Sequence, residues 1–178
     1  PGEAGFSFHS RMVESPFPGS EDFDEKRFGL DGRWDIEIGL WLEGVHRIQY
    51  GEGVFDQSIT SLMLGADYTL ALGNGLHILC EHMATAVRND SLSSGSEDTA
   101  HISALMLGYP SGYLDYFNLI GYQDWDRGDF YSFVSWQRTW DNFALNLSLF
   151  HNPEQVEEGL RSMSARGTGG QVIVMFNH

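Results

Sequence analysis

Alternation between apolar and polar residues is the feature of this sequence that most restricts its fold. Every even position from 34 to 42 is apolar, whereas the odd positions from 35 to 43 include Asp35, Glu37 and Glu43. Residues 60–72 repeat this period of two, with Asp67 on the side opposite the apolar one. Successive side chains of a β-strand point to opposite faces, so each segment is predicted to be a strand with two unlike faces.

The rest of the chain adds more strands and almost no helical spacing. Gly73–Gly75 predicts a tight hairpin turn, and Phe6 and Phe8 alternate in a ninth candidate strand over residues 5–12. Residues 154–163 alone have helical spacing, and we expect a loop with one helical turn there. The further predicted strands cover residues 76–85, 100–109, 113–123, 130–139, 143–151 and 171–178. The chain is therefore predicted to be all-β with about 8 to 10 antiparallel strands.

Connection lengths and strand lengths point to one class of sheet. Short joins at 73–75, 108–112 and 140–142 alternate with longer joins at 50–57, 88–99 and 152–170. Outer-membrane barrels have short periplasmic turns and longer external loops, and their strands need about 9 to 11 residues. Tyrosines and tryptophans near the predicted strand ends fit interfacial girdles. We therefore predict an antiparallel up-and-down transmembrane β-barrel, with residues 1–32 as an N-terminal strand and acidic connector and residues 33–178 as the barrel strands.

Several blocks of the sequence resemble a known class of proteins. Arg27–Glu43, Ala66–Leu76, Ser135–Asn142 and the alternating, aromatic-bearing end at 171–178 are similar to bacterial porin-like outer-membrane proteins. The resemblance covers about residues 27–178. It implies a bacterial outer-membrane location, contact with membrane lipids, recognition of the last strand by the barrel-assembly machinery, and a polar lumen. It implies no catalytic residue.

Composition excludes several other classes of protein. The 25 acidic and 10 basic residues give a formal charge of −15, which argues against a nucleic-acid partner and favours cationic solutes. Cys80 is the only cysteine, so the chain has no intrachain disulfide and no four-cysteine zinc site. No run of 18 apolar residues predicts a membrane helix. Because residue 1 is proline and no leader follows it, we expect a mature product, a processed fragment or a trimmed piece.

Residues with catalytic or metal-binding chemistry do not form a recognisable site in the sequence. His77 and Glu81 share one face of a predicted strand, but two ligands do not make a metal centre. Neighbours such as His9 and Ser10 point to opposite faces of a strand, which excludes a nucleophile and base pair. The acidic run of Glu21, Asp22, Asp24 and Glu25 lacks the spacing of a calcium loop and is predicted to be a solvated loop. We expect no cofactor, no metal and no enzymatic activity.

The predicted polar face supplies the functional hypothesis. We expect its acidic and titratable residues to line an aqueous lumen, and carboxylates in such a lumen favour cations over anions. These residues are Asp35, Glu37, Glu43, Asp67, His77 and Glu81, joined on later strands by Ser135, Gln137, Asn146 and Ser148. The primary hypothesis is a passive, cation-preferring pore for small solutes. The alternatives are a soluble or plugged barrel that binds a small apolar ligand, and a structural membrane barrel without transport.

The expected size of the barrel is compatible with two interpretations of the chain. Eight strands enclose an interior that side chains alone can fill. The chain is therefore either a complete small barrel or the C-terminal part of a larger one. We favour the larger barrel because residues 1–32 read as a strand and connector cut from a preceding context.

Overall fold

The computed structural model describes residues 2–14, 22–50, 57–89, 96–153 and 167–176. All regular structure in these ranges is β-strand. The strands are β1 (Gly2–Val13), β2 (Phe23–Ile36), β3 (Ile38–Tyr50), β4 (Gln57–Leu70), β5 (Leu76–Asn89), β6 (Ser96–Pro110), β7 (Asp115–Asp124), β8 (Phe130–Thr139), β9 (Phe143–Asn152) and β10 (Gly167–Phe176). They form one ten-stranded sheet in chain order, which confirms the all-β, up-and-down prediction.

The sheet has two free edges within the described residues. The order runs from β1 to β10 without a pairing between these two strands. The closed barrel expected from the sequence is therefore not formed in this part of the chain. Among the same residues, no helix has the length and apolarity that a membrane crossing needs.

The joins between strands alternate in length, as the turn signals predict. Those after β2, β4, β6 and β8 have one to five residues, whereas those after β1, β3, β5, β7 and β9 have five to fourteen. Successive joins of an up-and-down sheet lie at alternate ends of the strands, so we call these ends the short-join end and the long-join end. The predicted turn at 73–75 is present, with Gly73 and Gly75 at φ values of 59° and 102°. These are left-handed conformations that glycine adopts without steric cost.

One predicted strand is in fact a hairpin. The prediction of a continuous strand from Trp34 to Glu43 is wrong, because the chain reverses at Glu37, where φ is 75°. Ile36 pairs with Ile38 and Asp35 pairs with Gly39 across the turn. A one-residue turn leaves the parity of the alternation unchanged, so both arms present their even positions to the same face. The sequence pattern therefore continues through the reversal without a break.

A second correction concerns the predicted acidic connector. Residues 23–32 belong to β2, which pairs with β1 on one side and β3 on the other. Phe28 and Leu30 extend the even-position alternation of Trp34 and Ile36 back through this segment. Most of the charged residues in this segment, namely Glu25, Arg27 and Asp31, are at odd positions, on one face of the strand. The 154–163 segment and Glu21 lie outside the described residues.

The chain divides into two compact units. The first comprises Pro1–Ala66 with Glu81–Ile102, and the second comprises Asp67–Cys80 with Ser103–His178. In the first unit, β1, β2 and β3 pair even position with even position, so each face of this part of the sheet has a uniform parity. The apolar face of β1–β3 carries Phe6, Phe8, Phe28, Leu30, Trp34, Ile36, Ile38 and Leu40, and toward the long-join end it also carries the polar residues Ser10, Asp24, Lys26 and His46. The apolar side chains among these are exposed, with values of 71% for Phe6 and 52% for Leu30.

The second unit has the same two-faced construction. The apolar face of β7–β10 carries Phe117, Leu119, Val134, Leu147, Leu149, Val172 and Val174. The opposite, more polar face of β7–β10 carries Asn118, Ser135, Gln137, Asn146, Ser148 and Gln171, together with the apolar residues Ile120, Phe133, Phe150 and Ile173. The listed residues of the apolar face are exposed, for example Val172 at 66%, whereas Ser148 on the other face is 4% exposed.

The described residues have no apolar core of the usual kind. Ala144 is their only buried hydrophobic side chain, and the buried polar ones are Glu25 and Ser148. Globular domains bury most of their Ile, Val, Leu and Phe side chains. Here large apolar side chains are exposed on strands of 10 to 15 residues.

Gly65 provides a test of packing on the polar side of the first unit. A Cβ atom at Gly65 would collide with the indole ring of Trp41, whereas one at Gly44 would lie 3.7 Å from Leu62 Cδ1, an ordinary contact. Gly65→Ala is therefore expected to displace Trp41 and to cost about 1–2 kcal/mol of stability. Gly44→Ala should be neutral or slightly stabilising, because glycine in a strand carries an entropic cost. Denaturant unfolding followed by tryptophan fluorescence compares the two variants, and equal effects would contradict this packing.

Candidate functional site

The polar face of β1–β3 concentrates charge in rows that run across the three strands. A row is a set of residues directly opposite one another in the ladder. Two rows at the long-join end bring three arginines around one glutamate. Across β1, β2 and β3 these rows are Arg11, Glu25 and Gln49, and then His9, Arg27 and Arg47.

Glu25 is the centre of this arrangement. Its side chain is 2% exposed, and its Oε1 accepts a hydrogen bond from Arg11 Nε at 2.9 Å. Oε2 accepts one from Gln49 Nε2 at 3.0 Å and lies 3.9 Å from Arg47 Nη1. Arg27 Nε lies 2.8 Å from Oε1 but is not aligned for a hydrogen bond, so this buried N–H has no acceptor among the described residues. We call Arg11, Arg27 and Arg47 around Glu25 the arginine cluster, and it has a formal charge of +2.

A cleft of about 310 Å³ adjoins the arginine cluster. It extends over the next row of the ladder, in which Ser7, Gly29 and Val45 are opposite one another. A Cβ atom at Gly29 would collide with Ser7 Oγ, so the Ser7 hydroxyl at the edge of the cleft lies where a side chain at position 29 would begin. The cleft is lined by Ser7, His9, Arg11, Arg27, Phe28, Gly29 and Val45. Its volume is at the lower limit of the range for small-molecule sites.

The other end of the same face is acidic. Asp31 is directly opposite Glu43, and Asp35 and the turn residue Glu37 follow toward the short-join end. Like charges directly opposite each other in a sheet are destabilising. Within the described ranges, neither Asp31 nor Glu43 has an ion-pair partner. We call Asp31, Asp35, Glu37 and Glu43 the acidic end, and Arg33 is the basic residue within it.

The six residues predicted to line a lumen are distributed over both units. Asp35, Glu37 and Glu43 belong to the acidic end, but Glu37 lies in the turn and not within a strand. Glu81 lies on β5 in the first unit and is half-buried. These placements neither establish nor exclude a lumen, and the lining role stays a prediction.

Asp67 and His77, the other two predicted residues, lie together in the second unit. His77 Nε2 is 3.9 Å from Asp67 Oδ2, an ion pair when the imidazole is protonated. His77 Nδ1 is 3.2 Å from Thr69 Oγ1, within hydrogen-bond distance. The three side chains therefore form one polar contact group where β4 and β5 meet the 71–75 turn.

On the polar face of β7–β10, the ladder collects neutral polar side chains. Ser135 is opposite Ser148 and Gln137 is opposite Asn146, so these four residues share one face. Asn118 Oδ1 is buried without a hydrogen-bond partner in the described part of the chain. Arg138 is on the opposite face, where its Nη1 lies 3.6 Å from Asp115 Oδ2. This face can offer hydrogen bonds to water or to a polar solute.

The other candidate chemistries have no support in the geometry. No three His, Cys, Asp or Glu side chains of the described ranges are grouped to hold a metal ion. His9 pairs with Arg27 and Ser10 with Lys26, which places the two residues on opposite faces. Asp24 and Glu25 belong to β2 and not to the predicted solvated loop.

The arginine cluster was not predicted from the sequence. Its members are far apart in the chain, and the sequence pattern places Glu25 in the acidic connector. The even-position alternation of Phe28, Leu30 and Trp34 is the signal that could have identified β2. With β2 recognised, the charged odd positions would have been assigned to one face.

No family model, curated protein or solved structure matches the chain. Its function is therefore inferred from the placement and chemistry of its own side chains.

Proposed function

We propose that this chain forms the wall of a bacterial outer-membrane β-barrel, with its apolar faces against lipid and its polar faces toward an aqueous passage for small solutes. The observation that carries this proposal is the inverted distribution of side chains. Large apolar residues are exposed on both units, while the buried polar residues are Glu25 and Ser148. In water this arrangement leaves extended apolar surface uncovered, a condition that marks interaction with a membrane or another protein.

The dimensions of the apolar face support a membrane location. On β2, the nine residues 28–36 have no charge on the apolar side. The apolar band of outer-membrane barrels is about 25 Å tall, and a tilted strand crosses it with about 9 to 11 residues.

Aromatic residues at both ends of β7, β8 and β9 fit the interfacial girdles of such a barrel. Tyr113 and Trp140 lie in the joins at the short-join end, where Trp140 stacks on Phe143 with ring centroids 4.2 Å apart. Trp125 follows β7 at the long-join end and is exposed, with Phe130 beginning β8 nearby. Aromatic rings of this kind are enriched at both membrane interfaces.

The membrane proposal requires that both free edges be paired. Each unsatisfied backbone N–H or C=O costs several kcal/mol in hydrocarbon, so no open sheet edge persists there. β1 and β10 must therefore pair with each other, with strands outside this sequence, or with a second copy. Folding through the barrel-assembly machinery of the outer membrane would supply the route to that closed state.

Purified full-length chain tests this proposal directly. We expect it to require detergent for solubility and to migrate faster in its folded form than after boiling on a denaturing gel. Recovery of a stable, detergent-free monomer with the same strand content would contradict the membrane location. Heat-modifiable protein that gives no conductance in a planar bilayer would instead favour a plugged, ligand-binding or purely structural barrel.

The acidic end supports cation preference in the passage. In planar bilayers, the reversal potential under a salt gradient is expected to show preference for cations. The preference should weaken at high salt, because the Debye length falls from about 10 Å at 0.1 M to about 3 Å at 1 M. Combined Asp31→Asn and Glu43→Gln substitutions should reduce it. Asp24→Asn removes the same kind of charge from the opposite face of β2 and should leave it unchanged, whereas equal effects of the two changes would contradict this assignment.

A further inference from the structure

The arginine cluster carries more positive charge than its glutamate neutralises. Glu25 compensates one of three guanidinium groups, and the contacts to it use the Nε atoms of Arg11 and Arg27 and one Nη of Arg47. The remaining Nη donors have no other ion pair in the described ranges. This local excess of positive charge contrasts with the formal net charge of −15 of the whole chain.

We propose that the cleft beside the arginine cluster binds a small oxyanion, such as the phosphate or carboxylate group of a solute. Arginine presents its donors in a planar fork that matches the oxygens of both groups. Arg11, Arg27, His9 and Ser7 all line the cleft, so charged and neutral donors from β1 and β2 border the same space. A bound dianion would balance the cluster charge of +2.

Glu25 has a defined part in this site. Since it is 2% exposed and contacts all three arginines, it holds their guanidinium groups together where mutual repulsion would separate them. Its carboxylate occupies the Nε atoms of Arg11 and Arg27, and these two arginines also line the cleft. The anion is therefore expected to bind beside Glu25 and not to replace it.

Gly29 lies in the row of the sheet that borders the cleft. The row of Ser7, Gly29 and Val45 has a side chain on each outer strand and none on the middle one. This row is directly next to the row that contains Arg27. A bulkier residue at position 29 would displace the Ser7 hydroxyl and fill the adjoining space without removing any donor of the arginine cluster.

The site does not depend on the membrane proposal, because its donors lie on one face of β1–β3 in any environment. Binding is measured on the full chain in whatever form is stable, with or without detergent. The probes are inorganic phosphate and acetate at constant ionic strength, with chloride as the reference anion. The readouts are isothermal titration calorimetry and the shift of the unfolding midpoint, which rises with ligand concentration when only the folded state binds.

We expect saturable phosphate binding, stronger than acetate binding and absent for chloride. Gly29→Val and Arg27→Gln should each weaken phosphate binding at least tenfold, whereas Arg88→Gln should not change it. Arg88 is the matched control because it loses the same charge, and it pairs with Glu97 at 3.1 Å on another part of the first unit. Circular dichroism verifies that each variant is folded, and Gly29→Val separates loss of the cleft from loss of charge.

Two results would overturn the inference. One is a shift of the unfolding midpoint that depends only on ionic strength and is the same for phosphate and chloride. The other is phosphate binding that Gly29→Val and Arg27→Gln leave intact, whatever the effect of Arg88→Gln. Heat-modifiable migration that persists in either case would show that the membrane proposal survives the failure of the anion site.

Discussion

If β2 faces lipid as proposed, the Leu30→Arg substitution is expected to destabilise the folded chain by about 2–4 kcal/mol, the cost of an arginine at the lipid face near mid-bilayer. Leu30 lies within the uncharged band of β2, between Phe6 on β1 and Gly44 on β3. Its side chain is 52% exposed, so no local packing rearrangement obscures the effect. The measurement is the folding equilibrium in lipid vesicles, with denaturant titration followed by tryptophan fluorescence.

Asp31→Arg is the matched control for this prediction. Asp31 is the next residue of the same strand, on the polar face, and it is also exposed. We expect a cost below about 1 kcal/mol there, because the new charge stays in water and removes the like-charge opposition to Glu43. In a water-soluble protein, an exposed Leu30→Arg change would lie within about ±0.5 kcal/mol. Two small effects would therefore reject the lipid-facing assignment.

Glu25→Ala is expected to be the most damaging substitution on the polar face of β1–β3. Removing one partner of a buried ion pair costs about 3–5 kcal/mol, and the partial exposure of the three arginines reduces this to roughly 2–4 kcal/mol. The three guanidinium groups would then repel one another without a carboxylate between them. Equilibrium unfolding of the full chain measures the loss, and added phosphate should recover part of it if the anion occupies the vacated region.

Glu97→Ala provides the comparison for Glu25→Ala. Glu97 pairs with Arg88 at 3.1 Å, and both side chains are more than half exposed. Surface ion pairs of this kind contribute about 0–1 kcal/mol, so this change should have little effect. Equal losses at positions 25 and 97 would mean that Glu25 is not buried among its arginines as the structure has it.

Local sequence was sufficient for the strands whose ends are marked by turn residues. The predicted strand over residues 130–139 coincides with β8, and 143–151 differs from β9 by one residue. Tight joins such as 140–142 delimit these strands, and the alternation between them is unbroken. Two-faced composition is a property of the sequence alone, because the period of two assigns each residue to a face wherever a strand exists.

The candidate site depended on information that alternation does not contain. Arg11 and Glu25 are 14 positions apart in the chain, and Gln49 is 24 from Glu25. Only the register between β1, β2 and β3 places them in one row. A shift of one residue in that register would move Glu25 to the apolar face. The sequence therefore predicted an acidic polar face but not the arginine cluster within it.

The reversal at Glu37 shows the same division between sequence and tertiary structure. Alternation of apolar and polar residues by itself determined that this chain is all-β and that its strands are long and two-faced. Which residues meet across strands, where the chain turns back, and that the apolar side chains stay exposed were decided only by the pairing of the sheet. The physical reason is that alternation specifies the face of a residue, whereas register and turn position specify its neighbours.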